Sequence, residues 1–147
     1  MVQSATMGTS KTGAHVKIVV GFIDSPEGDA AIEQAIAEAK LRNASLVIVN
    51  SMLGGDHEQQ EEYIAMDKRL DQLTERLASE GIDHTVHGYV RGKKPVTDIV
   101  AAVKEYDADL VVIGIRKRSA TGKMLLGSNA LDILHDSPVP VLCVKAK

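Results

Sequence analysis

Apolar and polar residues fall in blocks along this chain, and the blocks have two different periods. "VKIVVGF" (16–22) is apolar at almost every position and rich in β-branched residues. That predicts a strand buried on both faces. "IDSPEG" breaks the run. Ser25 is placed to cap a helix, Pro26 suits its first position, and Glu27 and Asp29 suit its positive end. Ile32, Ala35, Ile36 and Ala39 then recur with helical spacing. "SLVIVNS" (45–51) is a second buried strand, and "MLGGDHEQQEE" leads into a long helix. The apolar stripe of that helix reads Ile64, Leu70, Leu73 and Leu77, and Gly81 is placed to end it. "DHTVHGYV" (83–90) is a more polar strand, which predicts a sheet edge. Val96, Ile99, Val100 and Val103 mark a third helix. "ADLVVIGI" (108–115) is the most hydrophobic strand. A helix over about 128–135 and a strand within "SPVPVLCVKA" (137–146) complete the pattern.

Strands alternate with helices throughout, and three of the strands are apolar on both faces. This predicts a single doubly wound α/β domain: a parallel sheet with helices on both faces, spanning 16–147. The first fifteen residues are polar and rich in Gly, Ser and Thr, which predicts a disordered tail or tag. They lack the apolar centre of a signal peptide. No apolar run is long enough to span a membrane.

Composition narrows the partners. Aromatic residues are only 3% of the 147 and Trp is absent, so a base-stacking platform for nucleic acid is not expected. A net charge of −3 argues against nucleic acid or acidic membrane held by bulk charge. One cysteine, Cys143, precludes an internal disulfide and suits a reducing, cytoplasmic setting. Cys143 sits among Val141, Leu142 and Val144 and reads as a small buried hydrophobe.

The candidate chemistry concentrates in "GIRKRSATGKMLLGSNA" (114–130). Three glycines, four basic side chains and several hydroxyls stand between the most apolar strand and the last helix. Glycines let backbone N–H groups approach a phosphate, and a helix start adds positive dipole. A Walker-A loop is excluded, because "KRSATGKM" has Lys117 at the first glycine and Met124 at the hydroxyl. The histidines offer little. His84 and His87 point to opposite faces of one strand, His57 stands in an acidic helix start, and His135 suits a helix C-terminus. No nucleophile elbow, Cys/His signature or carboxylate pair suggests an enzyme. Ser25 and Asp29 read as helix-capping residues, and Asp24 is open.

"IVVGFIDSPEGDAAIEQAIAEAK", "ADLVVIGIRKR" and "LLGSNALDILHDSPVPVLCV" together resemble the universal stress protein family, over nearly the whole chain from about residue 16. The resemblance implies a five-stranded parallel sheet in the order 3-2-1-4-5, and a homodimer through the fifth strand (Val139 to Val144). It implies an adenine nucleotide such as ATP, with or without magnesium, in the crevice where strand order reverses between strands one and four. The residues it nominates there are Gly21, Phe22, Ile23 and Asp24 after strand one, and Ile113 at the end of strand four. The base would lie towards Val49, Asn50 and Ser51. Phosphates would meet Gly114, Arg116, Lys117, Arg118, Gly127, Ser128 and Asn129.

Two positions depart from the family's ATP binders. Their pattern Gly-x2-Gly-x9-Gly-[Ser/Thr] is met at Gly114, Gly127 and Ser128, but Lys117 stands at the second glycine. Ile23 stands where they carry aspartate, with Asp24 one place later. Two readings therefore stand. In one, the protein holds an adenine nucleotide or another phosphate-bearing ligand, with the basic side chains compensating for the lost glycine. In the other, it binds no ATP and acts through dimerisation and protein partners.

Overall fold

Strands and helices alternate in the computed structural model, which describes residues 15–52, 60–90, 92–116 and 126–146. The order is β1 (Lys17–Gly21), α1 (Pro26–Arg42), β2 (Ser45–Met52), α2 (Gln60–Ser79), β3 (His84–Val90), α3 (Pro95–Tyr106), β4 (Leu110–Ile115), α4 (Ser128–Asp136) and β5 (Val141–Lys145). The strands form one sheet in the order β3-β2-β1-β4-β5, and every neighbouring pair is parallel. The expected topology is therefore the observed one.

The register explains why the central strands are apolar at every position. Ile18 and Val20 of β1 pair with Leu46 and Ile48 of β2, and all four face α1 and α2. Val19 pairs with Val47 and Val111, and these face α3 and α4. Alternate residues thus enter two separate cores, one on each side of the sheet.

Local signals set the helix ends. Ser25 caps α1, its hydroxyl accepting from the Gly28 N–H at 3.2 Å. Three helices end in a left-handed residue: Asn43, Gly81 and Asp107. In each case the following N–H reaches back to a carbonyl five residues earlier, as in Ile82 to Leu77 at 3.0 Å. Gly81, at φ 70°, fills this role for α2 as expected.

Three expectations need correction. Ile64 is 64% exposed, and Met66 takes its place in the buried stripe with Leu70, Leu73 and Leu77. Those four follow strict helical spacing, which Ile64 does not. The last strand runs Val141–Lys145 rather than Val139 to Val144. Ser137 holds a local turn before it, its hydroxyl donating to the Val139 carbonyl at 2.7 Å, so Val139 precedes the strand. Cys143 is half-buried rather than buried, because β5 is an edge strand. Burial still pushes its thiol above the ordinary cysteine range.

Candidate functional site

Beyond β1 and β4 the chain goes on to helices packed on opposite faces of the sheet, α1 on one face and α4 on the other. A cleft opens between the two exits, which is where a doubly wound sheet places its ligands. It holds about 90 Å³. Gly21, Phe22 and Ile23 form one wall, and Ile113 and Gly114 form another. Val49 and Ser51 close the β2 end, Pro95 and Ile99 of α3 lie beneath, and Asn129, Ala130 and Ile133 of α4 complete the lining. Ser51 and Asn129 are its only polar side chains among the described residues.

Eight of the nominated residues meet here: Gly21, Phe22, Ile23, Val49, Ser51, Ile113, Gly114 and Asn129. Gly127 and Ser128 adjoin them at the start of α4. Lys117, Arg118, Gly122 and Lys123 lie outside the described residues, as do His57 and residues 1–14.

Asp24 and Asn50 are turned elsewhere. Arg69 of α2 lies 3.2 Å from Asp24 and also binds Asp29, and its guanidinium sits over the Phe22 ring at 5.6 Å. Asp24 thus faces the α2 side, and the Asp29 carboxylate serves an interhelical ion pair rather than a cap. Asn50 is buried, and its amide donates to the Phe22 carbonyl at 2.9 Å. Together with the Phe22 N–H to Val49 carbonyl bond, also 2.9 Å, this pins the wall of the cleft to β2.

The two frame glycines have different grounds. A Cβ on Gly114 would stand 1.8 Å from the Glu27 carbonyl oxygen, so glycine is needed there for α1 to pack against β4. A Cβ on Gly127 would meet nothing within 4 Å, and its φ is −67°. Among the described residues, nothing in the fold requires glycine at 127.

The electrostatics favour an anion at one end. Gly127 is the N-cap of α4 and offers no side chain to the first-turn N–H groups, and that turn holds no acid. Such groups suit an anionic oxygen. Arg116, the residue after β4, is exposed. The carboxyl of Glu27 is held below its usual range by the Ser25 hydroxyl and its own backbone N–H, with Arg116 adding a smaller pull.

Composition and spacing did not nominate Pro95, Ala130, Ile133 or the buried Asp98 for the site. Asp98 is 1% exposed and accepts from the Ser51 hydroxyl at 2.6 Å. Its signal was an acid beside Ile99 in an otherwise apolar helix stripe. Of the histidines, His84 donates to the Ile82 carbonyl, and His87 bonds the Tyr106 hydroxyl at 2.6 Å. No group of three or more His, Cys, Asp or Glu among the described residues could hold a metal ion. No helix among them is long and apolar enough to cross a membrane.

The universal stress protein family model matches residues 16–145. A universal stress protein of Mycolicibacterium smegmatis is 36% identical over 128 residues, covering 87% of this chain and 96% of that one. The universal stress protein from Archaeoglobus fulgidus, solved in complex with dAMP, superposes with a TM-score of 0.69 at 32% identity, covering 89% of this chain and 98% of that one. A universal stress protein solved in complex with cAMP superposes at 0.65 with 26% identity, covering 92% of this chain and 100% of that one. With its sheet order, its switch-point cleft and these matches, the chain belongs to the universal stress protein family.

Proposed function

We propose that this protein binds an adenine nucleotide in the β1/β4 cleft and acts as a binding protein in a cytoplasmic stress response. The observation that carries this reading is the shape of the site: an apolar slot that ends at an uncapped helix start. A flat base fits between Val49, Ile99 and Ile113, and phosphate oxygens meet the N–H groups of Ser128 and Asn129 and the charge of Arg116. The dAMP and cAMP complexes of its relatives support the ligand class. Titration calorimetry with ATP, with and without magnesium, tests the reading. Binding stabilises the fold by about 2.7 kcal/mol at a hundredfold excess over Kd. No heat and no thermal shift at millimolar nucleotide would sink it.

One observation favours a second reading, in which the fold is kept without ATP. Ile23 is 48% exposed at the wall of the cleft, and the acid next to it in sequence, Asp24, is engaged by Arg69. On that reading, function lies in dimerisation along the free edge of β5 and in protein partners. Ile23→Asp combined with Lys117→Gly should then create ATP affinity where the wild type has none. A wild type that already binds would exclude it.

A further inference from the structure

Ser51 and Asp98 form a polar pair at the β2 end of the slot, away from Asn129 on α4. Ser51 lies two residues beyond Val49 in β2, so it shares that residue's face and looks towards α3. Asp98 sits in the first turn of α3, where the helix dipole favours a buried negative charge. The Ser51 hydroxyl donates to Asp98 Oδ2 at 2.6 Å. A carboxylate can only accept, so the hydroxyl proton is committed to it. What Ser51 then offers the cleft is its oxygen lone pairs.

We infer that the Ser51–Asp98 pair makes the β2 end of the cleft a fixed hydrogen-bond acceptor, which selects a purine carrying an exocyclic amine over one carrying a carbonyl. The inference rests on the nucleotide reading. β2 and β4 lie two strand spacings apart, roughly 9–10 Å. That is about the reach of a mononucleotide from its phosphate to the far edge of its base. A phosphate at Gly114 and the α4 start therefore brings the amine-bearing edge to Ser51. A carbonyl there would set two acceptors face to face, with an affinity loss on the order of tenfold or more. Ser51 determines specificity by contact. Asp98, which does not line the cleft, positions the Ser51 proton.

Calorimetry with ATP, ITP and purine riboside triphosphate, which lacks the exocyclic group, separates the contributions. The wild type should bind ATP most tightly and ITP at least about tenfold more weakly, with the unsubstituted purine between them. Ser51→Ala should bring the ATP/ITP ratio close to one. In Asp98→Asn the amide can donate to Ser51 and turn its proton into the cleft, which should raise ITP relative to ATP. Equal ATP and ITP affinities in the wild type overturn the inference and leave the nucleotide reading intact. A full ATP/ITP ratio surviving in Ser51→Ala overturns it too. Absence of binding by all three nucleotides removes the nucleotide reading and the inference with it. Should Asp98→Asn fail to fold, as a thermal melt would reveal, Ser51→Ala decides alone.

Discussion

Substituting alanine at the two frame glycines should have opposite consequences. At position 114 the added methyl would stand 1.8 Å from the Glu27 carbonyl oxygen, where real contacts essentially never fall below 3.0 Å. The obstacle is backbone, so no side-chain rotation relieves it. β4 and the start of α1 must part by roughly 1 Å or more, an overpacking defect that costs about 1–3 kcal/mol and belongs at the upper end here. In a domain of this size that lowers the melting temperature by roughly 4 °C per kcal/mol, about 10 °C in all. Gly127→Ala meets no atom of the described residues within 4 Å and keeps its φ of −67°. The entropy gained by removing a glycine, about 0.4–1 kcal/mol, is offset by alanine's weakness at an N-cap, so stability should change by no more than about 0.5 kcal/mol. Urea unfolding with a shared m-value measures both variants. A Gly114→Ala protein as stable as wild type, or a Gly127→Ala protein equally damaged, would refute the reasoning.

The corrected face of α2 predicts that Met66→Ala costs about 2–5 kcal/mol while Ile64→Ala stays within about 0.5 kcal/mol, read by the same unfolding assay. Ser25→Ala removes the α1 cap and should cost about 1 kcal/mol, with Ser25→Asn or Ser25→Asp restoring most of it. Arg76 holds the carboxyl of Glu33 below its usual range, and Lys40, with Arg76 second, does the same for Glu80. A depressed carboxyl stabilises the fold above its unfolded pKa of about 4.3, and that contribution is lost as pH falls through the lower folded value. Stability should therefore fall below about pH 4.5, less steeply in Arg76→Ala. Glu33 is 62% exposed, so its share stays below about 1 kcal/mol and shrinks in salt. A pH profile that Arg76→Ala leaves unchanged would remove this assignment.

The fold was readable because its signals are local. Ser25, Pro26 and Gly81 act within a turn of their own positions, and the double-faced apolar runs at 16–22 and 45–51 imply a covered parallel sheet without knowledge of any partner. Ile64 misled because hydrophobicity alone drew it into a stripe whose phase is set by Leu70, Leu73 and Leu77. The position of the cleft follows from strand order, so it too was accessible. Its chemistry was less so. Which way Asp24 turns depends on Arg69, forty-five residues away, and the Asp98–Ser51 bond joins elements separated by forty-seven. Neither distance leaves a trace in spacing.

The two glycines also change what the motif is worth. Gly114 counted towards a phosphate loop while its only visible feature was its place in a pattern. The approach of Glu27 shows that any protein packing α1 this closely on β4 needs a glycine there, whether or not it binds a nucleotide. Its presence therefore discriminates nothing, and the weight passes to Gly127, for which the described fold supplies no reason. If the α4 start receives phosphate through its backbone, a methyl at 127 stands where the oxygens approach, and affinity should fall with stability unchanged. If the family's aspartate mattered mainly for the base, Ile23 weakens that end of the site while Ser51, held by Asp98, supplies an acceptor on the neighbouring strand. Loss of affinity in Gly127→Ala and loss of base discrimination in Ser51→Ala would therefore be separable, one acting on every nucleotide alike and the other only on the ratio between them.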